Sequence, residues 1–275
     1  MQQRLLTYFT RQSEQFMLNF GIARGSYNAD AIHDMRVAVK RTRAVYQLLE
    51  QLFPEDFDAI TEEGLIRDLF RISGRIRDAQ VQQQLLDSYA ASLGTTFLEY
   101  TRYLQSGEKR AIRKFNKFLT SFDADSFLKQ KQEKVSELIS VASNDQIRHW
   151  IIRLTDALMK SAGEMRGGQK QDEHLHEIRR RLKQCQYLLT VFDQNDADYA
   201  RLSKTMKSLD KVNDLLGDWH DVFVAVEMLD RFMIKYSERE LRGENRYLLL
   251  HEKLDEKRER LQAKILGYFE EKLGI

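Results

Sequence analysis

The sequence predicts an all-α protein of two four-helix bundles related by an internal duplication, and three observations lead there. Helix breakers are scarce: 275 residues contain one proline, Pro54, and 13 glycines, while 31% of residues are charged and 42% hydrophobic. That composition suits helices with one apolar and one charged face. Apolar residues recur at the helical period through most of the chain, and alternating strand patterns are rare. The chain also repeats itself at an offset of 143 residues: His33, Arg36 and Lys40 return as His176, Arg179 and Lys183, Gly74 as Gly217, Asp78 as Asp221, and Lys114 as Lys257. A register held without a gap means two copies of one structural unit.

The elements follow in order. A first helix covers residues 5–24 and ends in the Gly25-Ser26-Tyr27-Asn28 turn. Asp30 is the expected N-cap of a second, which runs to residue 53 and is stopped by Pro54. A third spans residues 57–93 through Gly74, and a fourth residues 96–122 with Gly107 as its bend point. The second half restarts near Asp145, turns at Gly167-Gly168, repeats the basic helix over residues 173–192, and continues with helices over 202–236 and 247–273. The expected organisation is therefore a first repeat over residues 1–122, a helical connector over 123–144 and a second repeat over 145–275, the two bundles side by side.

Composition narrows the partners. The net charge of +2 gives no global affinity for polyanions, so any anion site must come from local segregation of charge. The lone Cys185 excludes an intrachain disulfide and suits a reducing compartment. No apolar run approaches the roughly 20 residues of a membrane helix, and no signal-peptide core follows the first residues. The expectation is a soluble, cytoplasmic protein; no feature fixes an oligomeric state.

The repeated residues are cations on one face. On a helical wheel His33, Arg36, Lys40 and Arg43 fall within an arc of about 80°, opposite Met35, Val39, Val45, Tyr46 and Leu49. His176, Arg179 and Lys183 likewise face away from Ile178, Leu182, Cys185 and Leu189; Gln186 stands in place of Arg43, and Arg180 at the stripe's edge can compensate. Ordinary surface faces mix signs, because like charges on adjacent turns repel. An unmixed stripe stated twice, at a helix start whose amides also favour anions, points to an anion site. A second basic register ends each half: Arg110, Lys114 and Lys117 correspond to Lys253, Lys257 and Arg260. Gly74 and Gly217 are expected to let helices approach closely, with Arg77 and His220 as further cations and Asp78 and Asp221 as their partners. One asymmetry stands out: Arg67, Arg71 and Arg75 align with Asp210, Asp214 and Asp218, which suggests complementary pairing between halves or subunits.

The run His33-Asp34-Met35-Arg36-Val37-Ala38-Val39-Lys40-Arg41 resembles the signature of the CHAD family, the conserved histidine α-helical domain. Leu216-Gly217-Asp218-Trp219-His220-Asp221 is similar to its later Leu-Gly-x-x-x-Asp element. The resemblance covers nearly the whole chain, duplication included. It implies pseudo-two-fold symmetry between the bundles and basic helices lining a central groove or pore that binds inorganic polyphosphate, without catalysis and without a cofactor, and it allows association with polyphosphate granules. Family members often accompany a triphosphate-processing CYTH domain, for which this chain has no room. Gln184 and Gln186 depart from the first repeat's Arg41 and Arg43, so the second half should contribute less. A polyphosphate needs only a track of guanidinium and ammonium groups. Few aromatics interleave with the stripes, which argues against specific nucleic-acid binding.

Rival readings carry less. Asp30-x-x-His33 and Glu173-x-x-His176 imitate the carboxylate and histidine pairs of a di-metal helical-bundle oxidase, but Arg and Lys follow each pair within two turns, and cations disfavour a divalent metal. A polyphosphate hydrolase would need metal-binding carboxylates in the basic groove, and the acidic stripe of Asp210, Asp214, Asp218 and Asp221 has mainly arginines as its counterparts in the other half. A helical scaffold for another protein would leave the basic register unexplained.

Overall fold

A computed structural model describes residues 1–164, 171–236 and 244–273 of the chain. Among these residues the structure is all-α, without strands, and comprises α1 (Gln2–Ser26), α2 (Ala29–Leu52), α3 (Ala59–Leu93), α4 (Leu98–Leu119), α5 (Ala124–Val141), α6 (Asn144–Gly163), α7 (Gln171–Leu189), α8 (Ala197–Ser208), α9 (Asp210–Tyr236) and α10 (Glu244–Leu273). The expected turn at Gly167-Gly168 lies outside the described residues. Among the described residues no helix is long and apolar enough to cross a membrane.

Short polar caps set the boundaries. Tyr27 closes α1 in the left-handed conformation (φ 52°), and the Asn28 side chain opens α2 by accepting from the amides of Asp30 and Ala31 at 2.9 Å each. The cap is thus Asn28 rather than Asp30, because an N-cap carbonyl oxygen must reach amides two and three residues ahead. Asp58 caps α3, Asp123 caps α5 and Asp196 caps α8, while Ser143 and Gln146 close a reciprocal capping box on α6.

Two further details differ from the sequence pattern. The bend expected at Gly107 is absent from α4, and the kink lies in α3 at Gly64, whose φ of 43° and ψ of −125° suit glycine. The single helix expected over residues 202–236 is two, α8 and α9, separated at Leu209. At the repeat offset Gly64 corresponds to Lys207, so both copies break their third helix at nearly the same place.

In the first half α1 packs on α2, α2 on α3, and α3 on α4; in the second α6 packs on α7, α7 on α9, and α9 on α10. The connector α5 lies along α1, and α8 bridges α7 and α9. The halves meet through α2 with α6 and α7, and through α9 with α3 and α4. This puts the two basic helices, α2 and α7, against each other at the centre.

The two glycines of the repeat are not equivalent. A Cβ on Gly74 would sit 2.8 Å from Nη1 of Arg36, whereas a Cβ on Gly217 meets nothing within 4 Å. Gly74 therefore makes room for a side chain from α2, and Gly217 makes room for nothing, contrary to the expectation from sequence. Gly217→Ala should raise stability by up to about 1 kcal/mol, the usual gain in helix propensity. Gly74→Ala should fail to gain, because Arg36 must give up its contacts. Thermal melts of the two variants check this, and a matching gain in both would show that Arg36 moves freely.

Candidate anion-binding cleft

Lys40 and Arg43 from α2 face His176, Arg179 and Lys183 from α7 across a cleft of about 360 Å³, with Phe70 of α3 and His220 of α9 in its walls. It joins a larger hollow of about 520 Å³ through the shared residues Gln47, Arg180 and Gln184. The juxtaposition follows from local sequence: the apolar sides of α2 and α7 enter the buried clusters, and the opposite, basic faces are left to meet.

The cations act on one another across the repeat boundary. Lys40 is pushed down to about 8, first by burial, then by Arg179, Arg36 and Lys183. Arg179 lies below its ordinary value through burial, opposed by Asp221. Lys183 is lowered by burial and Arg179, while Asp214 favours its charged form. Of the acidic stripe, Asp214 and Asp221 act on the cations of this cleft; Asp210, Asp214 and Asp218 are all exposed.

Other predicted site residues are already engaged. Arg36 donates to the carbonyl of Phe70 and to Ser73 Oγ (3.4 Å), and its guanidinium lies 3.9 Å from the Phe70 ring centroid. Burial holds its pKa at about 10, with Asp78 resisting. It is a brace between α2 and α3 rather than a free contact for a ligand. Arg43 stacks on Phe70 at 4.2 Å and is paired with Glu63 at 2.8 Å. Arg41 donates to Gln12 (3.3 Å) and lies over Tyr187. Arg180 reaches the cleft but is held by Glu177.

The two histidines also differ. His176 sits among rings, 4.6 Å from Trp219, 4.9 Å from Phe223 and 5.6 Å from His220. Burial and then His220 lower its pKa. His33 is exposed and outside the cleft lining, yet partial burial of its ring, then Arg77, lowers its pKa too. His220 lines the cleft with Nδ1 3.5 Å from Asp221.

The second basic register does not join this cleft. Arg110, Lys114 and Lys117 line the α3–α4 groove with Arg75. On α10, Lys253 is paired with Glu256 at 2.8 Å, Lys257 lies over Tyr89, and Arg260 acts on that same tyrosine. The reason is geometric: α4 and α10 pack on the far sides of α3 and α9, away from α2 and α7.

Sequence reasoning missed Phe70, the shelf for two guanidiniums, and Glu63, the partner of Arg43. The spacing of Phe70 and Gly74, a ring and a gap on one helical face, could have revealed the first. Among the described residues no three His, Cys, Asp or Glu side chains gather to hold a metal ion, so Asp30, His33, Glu173 and His176 do not converge into the ligand set that a di-metal centre requires.

Known proteins share this architecture. A CHAD-domain structure from the plant Ricinus communis superimposes with a TM-score of 0.74 over 98% of this chain and 91% of its own, at 18% identity. PptA from Streptomyces chartreusis does so with a TM-score of 0.70 over 98% of this chain and 99% of its own, at 15% identity. Uncharacterized proteins from two strains of Mycobacterium tuberculosis are 26% identical over 214 residues, covering 73% of this chain, which spans 40% of their length. The family model for the CHAD domain matches residues 7–230, and the chain belongs to the CHAD family.

Proposed function

We propose that the protein binds inorganic polyphosphate in the cleft between α2 and α7, with Lys40, Arg179 and Lys183 as its principal contacts, and that it does so without catalysis. Membership of the CHAD family points to a polyphosphate-related role. The observation that carries the finer reading is Lys40, which lines the cleft opposite Arg179 and Lys183 and is pushed to about 8 first by burial and then by cations of both copies. Such a cluster is unfavourable while empty and is relieved by a polyanion. A chain of phosphates, all charge and no base, suits it.

The aromatic rings favour the same ligand over nucleic acid. Base stacking needs an open ring face. Here Phe70 carries Arg36 and Arg43, Tyr187 carries Arg41, and Trp219 and Phe223 pack on His176.

Competition at equal phosphate concentration tests the reading. Long-chain polyphosphate should displace a labelled polyphosphate at least tenfold more effectively than single-stranded RNA. If about four cations engage, a fourfold rise in salt should cost about 50-fold in affinity, using a single-strand slope of roughly −0.7 per contact. Equal displacement by RNA, or a response to salt that is nearly flat, would overturn the proposal.

A further inference from the structure

We propose that the groove between α3 and α4, walled at one end by α9, is a second anion-binding site, separate from the cleft, which takes a short run of linear phosphates. Two joined hollows of about 360 and 320 Å³ share Arg75 and Lys114; Arg110 stands in one and Lys117 in the other. Arg110, Lys114 and Lys117 lie on one face of α4, along about 10 Å of helix axis. A row of this length fits several charges in line rather than one.

None of Arg75, Arg110, Lys114 and Lys117 takes part in an ion pair among the described residues, although paired cations flank them: Arg71 with Asp68 at 3.1 Å, Arg231 with Glu227 at 3.3 Å. Two carboxylates reach the α9 end of the groove: Glu227 is paired with Arg231, and Asp78, whose pKa is raised first by burial, feels Arg36, His220 and Lys40 rather than the cations of α4.

The duplication supplies an internal control. Residues 109–117 of α4 carry five cations and no carboxylate, while the equivalent residues 252–260 of α10 carry four cations and four carboxylates. Glu252, Asp255, Glu256 and Glu259 stand where α4 has Lys109, Ile112, Arg113 and Asn116. On the facing helix, Asp214 and Asp218 replace Arg71 and Arg75. The last helix of the scaffold is thus neutralised along this stretch in one copy and carries no carboxylate there in the other. Helix stability gives no reason for this, since like charges three and four residues apart repel. An anion supplied from outside does. The α3–α4 groove is therefore an asymmetric site, present in the first half alone. Its ligand class rests on the reading of the cleft, but its existence does not.

Titration calorimetry with tripolyphosphate tests it on three proteins: the wild type, an Arg71→Asp, Arg75→Asp groove variant, and a Lys40→Met, Lys183→Met cleft variant. The groove substitutions install the residues that α9 itself carries, so the helix accommodates them, and circular dichroism should be unchanged. The wild type should bind two equivalents. The groove variant should lose one, by on the order of 100-fold in affinity, and keep the other. The cleft variant should do the reverse. A single equivalent that is indifferent to the groove variant, or two that both survive it, overturns the second site and spares the cleft. A single equivalent lost only in the groove variant upholds the groove and overturns the function proposed for the cleft. Absence of binding overturns both.

Discussion

Replacing Lys40 by methionine should strengthen the free protein while weakening polyphosphate binding on the order of 100-fold. The two effects have one cause. In the empty cleft the ammonium of Lys40 is desolvated and repelled by Arg179, Arg36 and Lys183, which hold it at about 8. Methionine keeps the length of the stem and removes the charge. The gain in stability should be on the order of 2 kcal/mol, after discounting for the solvent that still reaches the side chain, and should raise the melting temperature by about 4 °C. The loss in affinity follows because a charge-assisted contact to phosphate disappears together with its relief of repulsion. The sign with pH is also determined. Between about 8 and the unperturbed 10.5 the unfolded chain holds a proton on Lys40 that the folded chain has lost. Wild-type stability therefore rises with pH through that window relative to the variant, and the difference between the two narrows. Melting curves from pH 7 to 10.5 beside binding isotherms check both arms. A variant that is less stable at pH 7, or that binds as well as the wild type, would remove Lys40 from the site.

Binding should take up protons, in two separate ranges of pH. Phosphates favour the charged form of every cation they meet, so Lys40 and His176, which line the cleft, gain affinity for protons in the complex. Free Lys40 titrates near 8, so the ligand should drive about half a proton onto it at pH 8 and close to one at pH 9. His176 is lowered in the free protein by burial and His220. Its uptake belongs below about pH 7, towards the acid side of the unperturbed 6.5. Affinity should accordingly fall as pH rises through each range, by up to tenfold per unit for each proton exchanged. Calorimetry in two buffers of different ionisation enthalpy, at pH 6 and at pH 8.5, measures the uptake directly. Lys40→Met should abolish the alkaline component, and His176→Gln should reduce the acidic one. Identical uptake in wild type and variants would mean that other groups carry the protons.

The helices and the pairing of basic stripes were legible because both obey a period: apolar residues return every 3.6 positions, and the stripes return at a fixed offset. What periodicity misses is the neighbour on the next helix. Arg36 and Arg179 occupy the same place in the repeat, yet one is a brace and the other faces the cleft. At the repeat offset Phe70 becomes Asn213 and Ser73 becomes Leu216, so the ring and the hydroxyl that engage Arg36 have no counterparts for Arg179. The answer was written in the alignment of the halves, but only once α3 was known to lie against α2. Similarly, Lys114 and Lys257 read as equivalents along their own helices and differ through what surrounds them.

Two of the buried clusters cross the division into copies. Leu86, Phe97, Tyr100 and Leu104 of the first copy are buried in one cluster with Leu175, Trp219, Phe232 and Tyr247 of the second. At the other end Leu5, Phe9 and Val45 share a cluster with Ile147, Leu188 and Phe192. Neither copy can open without exposing apolar surface of its sibling. A ligand seated between α2 and α7 thus acts on the survival of the whole chain: at a hundred times its dissociation constant it adds about 2.7 kcal/mol against global opening. Where proteases sample the opened state, the lifetime of every helix follows the supply of anion.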